Sequence, residues 1–193
     1  MSVELASRGG APVRASFLPY ALPQFGEEER REILEVLDSG WITTGPRVKR
    51  LEADLARAVG AAHVLCVDSC TAALHIALAA LDLKPGEEVI TSPLTFCSTV
   101  NTIVHAGGTP VLADVEPDTL NLDPARMEAA MTPRTRAVIP VHYGGHPCEM
   151  DRILEVCRAR GVAVIEDAAH AVGAAYRGRP IGRLGYATSF SFY

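Results

Sequence analysis

Short apolar segments alternate with helix-like segments along most of the sequence, and this alternation constrains the fold more than any other feature. Gly and Pro mark many of the junctions between them. The predicted strands are Val64–Val67, Glu88–Ile90, Pro110–Ala113, Ala137–Val141 and Val162–Ile165, with a last one ending in Ser189–Tyr193. The predicted helices are 26–38, 46–59, one after Thr71 ending near Leu83, 96–106, one from Pro124 and one ending at Gly161. This order predicts an α/β fold: a mostly parallel sheet sandwiched by helices and joined by right-handed crossovers.

Length and composition limit the function classes. A chain of 193 residues, 48% hydrophobic and 21% charged, is typical of one globular domain or of part of a larger one. The net charge of -5 and the scattered arginines argue against nucleic acid as a partner. No segment resembles a signal peptide or reaches the length of a membrane span, so no membrane partner is expected. Residues 1–16 are predicted to form a flexible N-terminal tail.

Five cysteines without a C-x-x-C pair indicate reduced thiols in a cytoplasmic protein rather than a disulfide framework or a metal site. The common nucleotide signatures are also missing. No G-x-G-x-x-G follows a strand, and no G-x-x-x-x-G-K-[ST] loop occurs. The absence of G-x-S-x-G argues against an α/β-hydrolase.

Two segments that follow predicted strands carry candidate binding residues. Ser69, Cys70 and Thr71 lie at a helix start, where free backbone N–H groups suit a phosphate. Taken alone, this segment favours a plain Ser N-cap over an anion site. Phe96 follows the strand at Glu88–Ile90, and it could stack on a planar ligand or belong to the core.

The pair Glu166–Asp167 ends a buried-type strand, the position where open α/β sheets bind ligands. A largely buried Asp167 needs a cationic or hydrogen-bonding partner. The protonated ring nitrogen of pyridoxal 5'-phosphate (PLP) is one candidate, and an arginine or a capped turn is the structural alternative. Ser191, in an aromatic strand, is uninformative by itself.

Together these segments resemble the sugar aminotransferase (DegT/StrS) family of fold-type I PLP-dependent enzymes. The resemblance begins near Leu18–Pro19 and covers the rest of the chain. Its segments, in order, are residues 39–46, 69–75, 92–101, 114–117, 121–123, 140–142, 166–170 and 189–193. Several ordered segments at compatible spacing are far more specific than any one of them.

The resemblance implies roles for particular residues. Ser69, Cys70 and Thr71, together with Ser191, would hold the PLP phosphate. Phe96 would stack on the ring, Asp167 would pair with its nitrogen, and His170 would lie near its hydroxyl. Cys70 departs mildly from the family, which commonly has Gly or Ala at that position.

The resemblance also places a Schiff-base lysine just beyond Tyr193. Lys49, in an exposed-looking helix, and Lys84, in a turn, are not plausible substitutes. Residues 17–193 are therefore expected to be the amino-terminal part of a large PLP-binding domain, truncated before that lysine. Alone, this chain is expected to be inactive and poorly soluble.

The resemblance implies that the enzyme transfers an amino group from glutamate or glutamine to a keto-sugar or cyclitol ketone in amino-sugar biosynthesis. The sugar would be linked to a nucleotide. The enzyme would be a cytoplasmic homodimer, and the loop from Trp41 to Gly45 would reach the neighbouring subunit.

Three alternatives remain open at this point. The first is a PLP- or PMP-dependent sugar dehydratase of the same fold, with histidine in place of the lysine. The second is a non-catalytic regulatory relative. The third is a metal enzyme that uses His142, His146, Asp167 and His170; it ranks lowest because it explains neither Ser191 nor the segment at Ser69.

Overall fold

The computed structural model describes residues 4–19 and 22–193, which divide into two compact units, Met1–Gly45 and Pro46–Tyr193. The first unit contains a 3-10 turn at Ala6–Arg8 and helix α1, Glu27–Ser39. Glutamates in the first turn of α1 suit its positive end, and Gly40 ends it in the left-handed region at φ 67°. The predicted tail, residues 1–16, lies partly outside the described residues and stays a prediction.

The second unit is built on a five-stranded parallel sheet of β1 (Glu88–Thr91), β2 (Thr109–Leu112), β3 (Thr135–Ile139), β4 (Ala163–Ala168) and β7 (Ala187–Phe190). The strand order is β2-β1-β3-β4-β7. A separate antiparallel hairpin pairs β5 (Ala175–Tyr176) with β6 (Arg179–Pro180). The helices are α2 (Pro46–Val59), α3 (Cys70–Ala79), α4 (Cys97–His105), α5 (Pro124–Ala130) and α6 (Met150–Ala159). The predicted parallel sheet with interleaved helices is confirmed.

Each face of the sheet carries its own apolar core, because successive side chains of a strand point to opposite faces. Ile165 of β4 packs in one core with Leu74 and Leu78 of α3 and with Ile103 of α4. The preceding Val164 packs in the other core, which includes residues of α5 and α6. Odd-numbered β4 residues therefore face α3 and α4, whereas even-numbered ones face α6.

The predicted strand Val64–Val67 is wrong. These residues carry no strand assignment, and Leu65 is largely exposed. A strand requires backbone hydrogen bonds from a neighbour, but the Cys66 amide instead donates to Glu52 Oε1 of α2 at 2.9 Å. The last strand also ends earlier than predicted, at Phe190 rather than Tyr193. No helix in the described residues is long and apolar enough to cross a membrane.

Leu78 is fully buried in the core beneath α3, so truncating it leaves a cavity against the sheet. We expect Leu78→Ala to lower the free energy of unfolding by about 3 kcal/mol. Leu78→Met, which keeps the volume, should cost less than about 1.5 kcal/mol. Urea unfolding of the two variants tests this, and equal losses would contradict the assigned packing.

Candidate active site

Asp167 lies at the carboxyl end of β4, on the face that α3 and α4 cover. Its side chain is almost fully buried, with 4% of the residue exposed. Thr99 Oγ1 of α4 donates to its Oδ2 at 2.7 Å, and the Ala169 backbone N–H donates to its Oδ1 at 3.2 Å. The second bond is the turn-capping contact that the sequence left open as an alternative.

Asp167 has no cationic partner in the described part of the chain. Within residues 4–19 and 22–193, no lysine, arginine or histidine forms an ion pair with its carboxylate. The arginine-paired alternative is therefore not what the structure shows. A carboxylate offers about four acceptor positions, of which Thr99 and Ala169 occupy two.

The start of α3 lies close to this carboxylate. Burial and, second, the negative charge of Asp167 raise the pKa of the Cys70 thiol to about 12. Cys70 is therefore a protonated, neutral group at neutral pH rather than a nucleophilic thiolate.

Ser69 is the N-cap of α3, and its hydroxyl accepts the Ala72 backbone N–H at 3.1 Å. The Ser69 hydroxyl therefore acts as an N-cap, which is the structural alternative to a phosphate contact. The amides of Cys70 and Thr71 lie in the first turn, where backbone N–H groups have no partner within the helix. These amides and the exposed Thr71 side chain are what the helix start offers to an anion.

Phe96 is the residue that caps α4, and it is 75% exposed. Phe96 therefore belongs to neither apolar core of the sheet. Ser191 directly follows β7, which pairs with β4, and is half-buried. Phe96 and Ser191 thus follow or border strands at the same edge of the sheet as Asp167.

His170 follows β4 in a turn and is exposed. Its ring lies edge-on to the Tyr143 ring, with centroids 6.5 Å apart. The backbone of His170 also lies close to Gly145, which has φ +84°; a Cβ at Gly145 would lie 2.8 Å from the His170 carbonyl oxygen, so only glycine fits there. The structure thus places His170 beside the end of β4, but its predicted contact with a ligand stays a prediction.

Glu166 points to the opposite face from Asp167, and no role was predicted for it from the sequence. It is fully buried, and its Oε2 lies 3.1 Å from His142 Nε2. Its Oε1 accepts the Gly185 amide and the Thr188 hydroxyl, each at 2.9 Å. Burial raises the pKa of this carboxyl, but the hydrogen bonds from His142, Gly185 and Thr188 together lower it below the ordinary value.

The His142 ring has a defined tautomer. Its Nδ1 accepts the Cys148 backbone N–H at 3.1 Å, so the ring proton lies on Nε2 and is donated to Glu166. In the described residues no group of three or more His, Cys, Asp or Glu side chains could hold a metal ion. The metal-enzyme alternative therefore has no geometric support, since both ring nitrogens of His142 already form hydrogen bonds, with Glu166 and with the Cys148 amide.

Sequence reasoning also missed Thr95 and Thr99, whose hydroxyl oxygens lie 2.7 Å apart. Their spacing of four residues at a helix start was the available signal. The contact of Thr99 with Asp167, however, depends on how α4 packs against β4. Lys84 pairs with Asp82, and Lys49 lies on the exposed side of α2, so neither lysine is bonded to the Asp167 group.

Comparison with known proteins identifies relatives along almost the whole chain. The profile of the DegT/DnrJ/EryC1/StrS aminotransferase family matches residues 23–193. The chain is 57% identical over 180 residues to the spore coat polysaccharide biosynthesis protein SpsC of Bacillus subtilis, covering 93% of this chain and 46% of SpsC. It is 49% identical over 181 residues to an uncharacterized protein of Methanocaldococcus jannaschii, of which it covers 47%. The chain thus spans about half the length of the curated relatives it matches.

Solved structures agree with this assignment. A Streptococcus pneumoniae protein described as a sugar aminotransferase, in its PMP form, superimposes with a TM-score of 0.87 at 36% identity, covering 92% of this chain and 48% of that protein. Helicobacter pylori PseC, an aminotransferase of pseudoaminic acid biosynthesis, gives a TM-score of 0.86 at 30% identity, covering 91% and 47%. With the family profile matching from residue 23 to residue 193, the chain belongs to the DegT/DnrJ/EryC1/StrS aminotransferase family.

Proposed function

We propose that the complete protein is a PLP-dependent aminotransferase that transfers an amino group from an amino acid to a keto-sugar or cyclitol ketone. The observation that carries this proposal is the buried Asp167 carboxylate, which has free acceptor capacity and no cationic partner in the described ranges. Burying such a charge is unfavourable unless a partner compensates it. A ligand that presents a positively charged N–H group would supply that partner.

The residues present fit PLP. When bound, PLP would supply an electron sink for charge that develops on the amino donor. Asp167 would accept the ring N–H and hold the positive charge on that nitrogen. Because the pKa of Cys70 is raised to about 12, its thiol stays neutral and does not repel an anionic group.

The other site residues would orient the ring and its phosphate. The first-turn amides at Cys70 and Thr71 would bind the phosphate at the positive end of α3, with the Ser191 hydroxyl contributing from the end of β7. Phe96 would cover one face of the ring, a role that suits its exposure. His170, just beyond β4, would lie near the ring hydroxyl.

The substrate class is proposed from the relatives. SpsC is named for spore coat polysaccharide biosynthesis, and PseC for the biosynthesis of pseudoaminic acid. Both names favour a sugar as the amino acceptor of this protein. We propose a nucleotide-linked keto-sugar as acceptor, glutamate or glutamine as donor, and a lysine beyond Tyr193 as the group that moves the proton.

We propose that the protein acts as a cytoplasmic homodimer. Several large apolar side chains of the Pro46–Tyr193 unit are exposed and could contribute to an interface: Leu65, Val104, Leu112, Val172 and Tyr186. The family resemblance implies a second copy of the protein as the partner at such an interface. The five cysteines, all free, suit a reducing compartment.

The visible absorbance of the complete protein, loaded with PLP, tests this function. We expect a band of bound cofactor that changes when glutamate or glutamine is added and returns when a keto-sugar follows. A band indifferent to every amino donor would contradict transamination and favour the regulatory relative. Loss of water from the sugar without amino transfer would favour the dehydratase.

A further inference from the structure

Two threonines at the start of α4, Thr95 and Thr99, have no part in the proposed mechanism. Thr99 is fully buried, and its hydroxyl oxygen lies 2.7 Å from Asp167 Oδ2. The Thr95 hydroxyl oxygen lies 2.7 Å from that of Thr99 and is half-buried. The two hydroxyls and the carboxylate therefore form a continuous hydrogen-bonded chain.

The direction of this chain follows from the acceptor at its end. An ionised carboxylate only accepts hydrogen bonds, so Thr99 must donate its proton to Asp167. A hydroxyl has one proton, so Thr99 then accepts from Thr95, and Thr95 donates. Each bond in such a chain polarises the next, which strengthens the bond that reaches the carboxylate.

This chain also joins two parts of the site. Thr95 and Thr99 flank Phe96, the capping residue of α4, in sequence. The Thr99–Asp167 bond thus ties the start of α4 to the end of β4, two elements 68 positions apart in sequence. The Ala169 amide fixes the other carboxylate oxygen. Rotation of the carboxylate would break one or both of these bonds.

We propose that Thr99, supported by Thr95, is a positioning residue that fixes the Asp167 carboxylate in the orientation that receives the ring nitrogen of the cofactor. The proposal rests on the proposed function, because it assumes that this nitrogen is the ligand of Asp167. Thr99 acts through Asp167 and touches neither substrate nor cofactor. Its contribution should therefore appear only with ligands that carry the nitrogen.

The test measures dissociation constants of the complete protein, freed of cofactor, for two probes. One is pyridoxamine phosphate, which binds without a covalent bond to the protein. The other is its analogue in which carbon replaces the ring nitrogen. We expect Thr99→Val to weaken pyridoxamine phosphate about tenfold and to change the affinity for the analogue by less than about twofold.

Three further variants separate positioning from folding. Thr99→Ser keeps the hydroxyl and should retain the wild-type affinity for pyridoxamine phosphate. Thr102→Val is the matched control: Thr102 is buried on the same helix, but its hydroxyl donates to the Thr99 carbonyl at 3.2 Å, away from Asp167. Thr95→Val removes only the outer hydroxyl and should weaken binding about threefold. If Thr99→Val does not fold, the affinity of Thr95→Val for pyridoxamine phosphate tests the positioning role instead.

The outcomes distinguish the two proposals. If the wild-type protein binds pyridoxamine phosphate but Thr99→Val binds it equally well, the positioning role is wrong and the proposed function stands. Equal losses in Thr99→Val and Thr102→Val, or equal losses for both probes, also overturn the positioning role. If the wild-type protein binds neither probe, the proposed function and this inference fail together.

Discussion

Replacing Asp167 with Asn in the complete protein is expected to reduce amino transfer by about 100- to 1000-fold. Asn has nearly the same shape, and its one oxygen can still accept the Ala169 amide. An NH₂ group then faces the Thr99 hydroxyl, which must turn to accept from it, and the negative charge is lost. Without that charge, the site no longer holds a positive charge on the ring nitrogen, and the cofactor withdraws electrons less well. Steady-state kinetics with glutamate and a keto-sugar measure the effect.

The control is Asp118→Asn, the same substitution at an exposed position, which should leave the rate unchanged. Thermal unfolding of both variants separates loss of activity from loss of folding. A fully folded Asp167→Asn variant with wild-type activity would contradict the proposed site, since no other described carboxylate has been assigned this role.

Replacing Glu166 with Ala is expected to lower the free energy of unfolding by about 4 kcal/mol. The substitution leaves three donors without their acceptor: His142 Nε2–H, the Gly185 amide and the Thr188 hydroxyl. His142 cannot compensate by changing tautomer, because its Nδ1 already accepts the Cys148 amide. Urea unfolding measures the loss.

Two comparisons sharpen this prediction. Glu155→Ala, on the exposed side of α6, should change stability by less than about 0.5 kcal/mol. Glu166→Gln should fall between the two, because one side of its amide presents an NH₂ group to a donor. If Glu166→Ala costs no more than Glu155→Ala, the buried network does not stabilise the fold.

The dependence of stability on pH should follow from the lowered pKa of Glu166. A carboxyl whose pKa is lower in the folded state contributes stability above its unfolded value, here 4.5, and that contribution is lost as pH falls through the folded value. The wild-type protein should therefore lose stability in acid more steeply than Glu166→Gln. Urea unfolding at a series of pH values tests this, and parallel profiles would contradict it.

The sequence predicted the sheet, and it placed the candidate site at the end of β4, because both inferences depend on local patterns. Apolar strands of the right length, separated by helices, specify a parallel sheet, and Asp167 ends one of them. The prediction of a strand at Val64–Val67 was wrong because an apolar pattern cannot show whether a segment has a neighbouring strand to hydrogen-bond with. There the Cys66 amide bonds to Glu52 instead.

The contacts of Asp167 and Glu166 could not be predicted for the same reason. Thr99 meets Asp167 across 68 positions, and His142 meets Glu166 across 24. Ordinary threonines and a single histidine carry no signature of these contacts. They become visible only once the packing of α4 and the end of β3 against β4 is known.

The two neighbouring acids of β4 have separate roles because they project to opposite sides of the sheet: Asp167 belongs to the candidate site and Glu166 to the buried network. Deleting or inserting a single residue upstream within this strand would exchange the faces to which the two acids project: an insertion would bring the glutamate among the threonines, and a deletion would bring the aspartate beside the imidazole. Point substitutions can therefore alter chemistry and folding independently at this dipeptide, whereas any change in the length of the strand damages both at once.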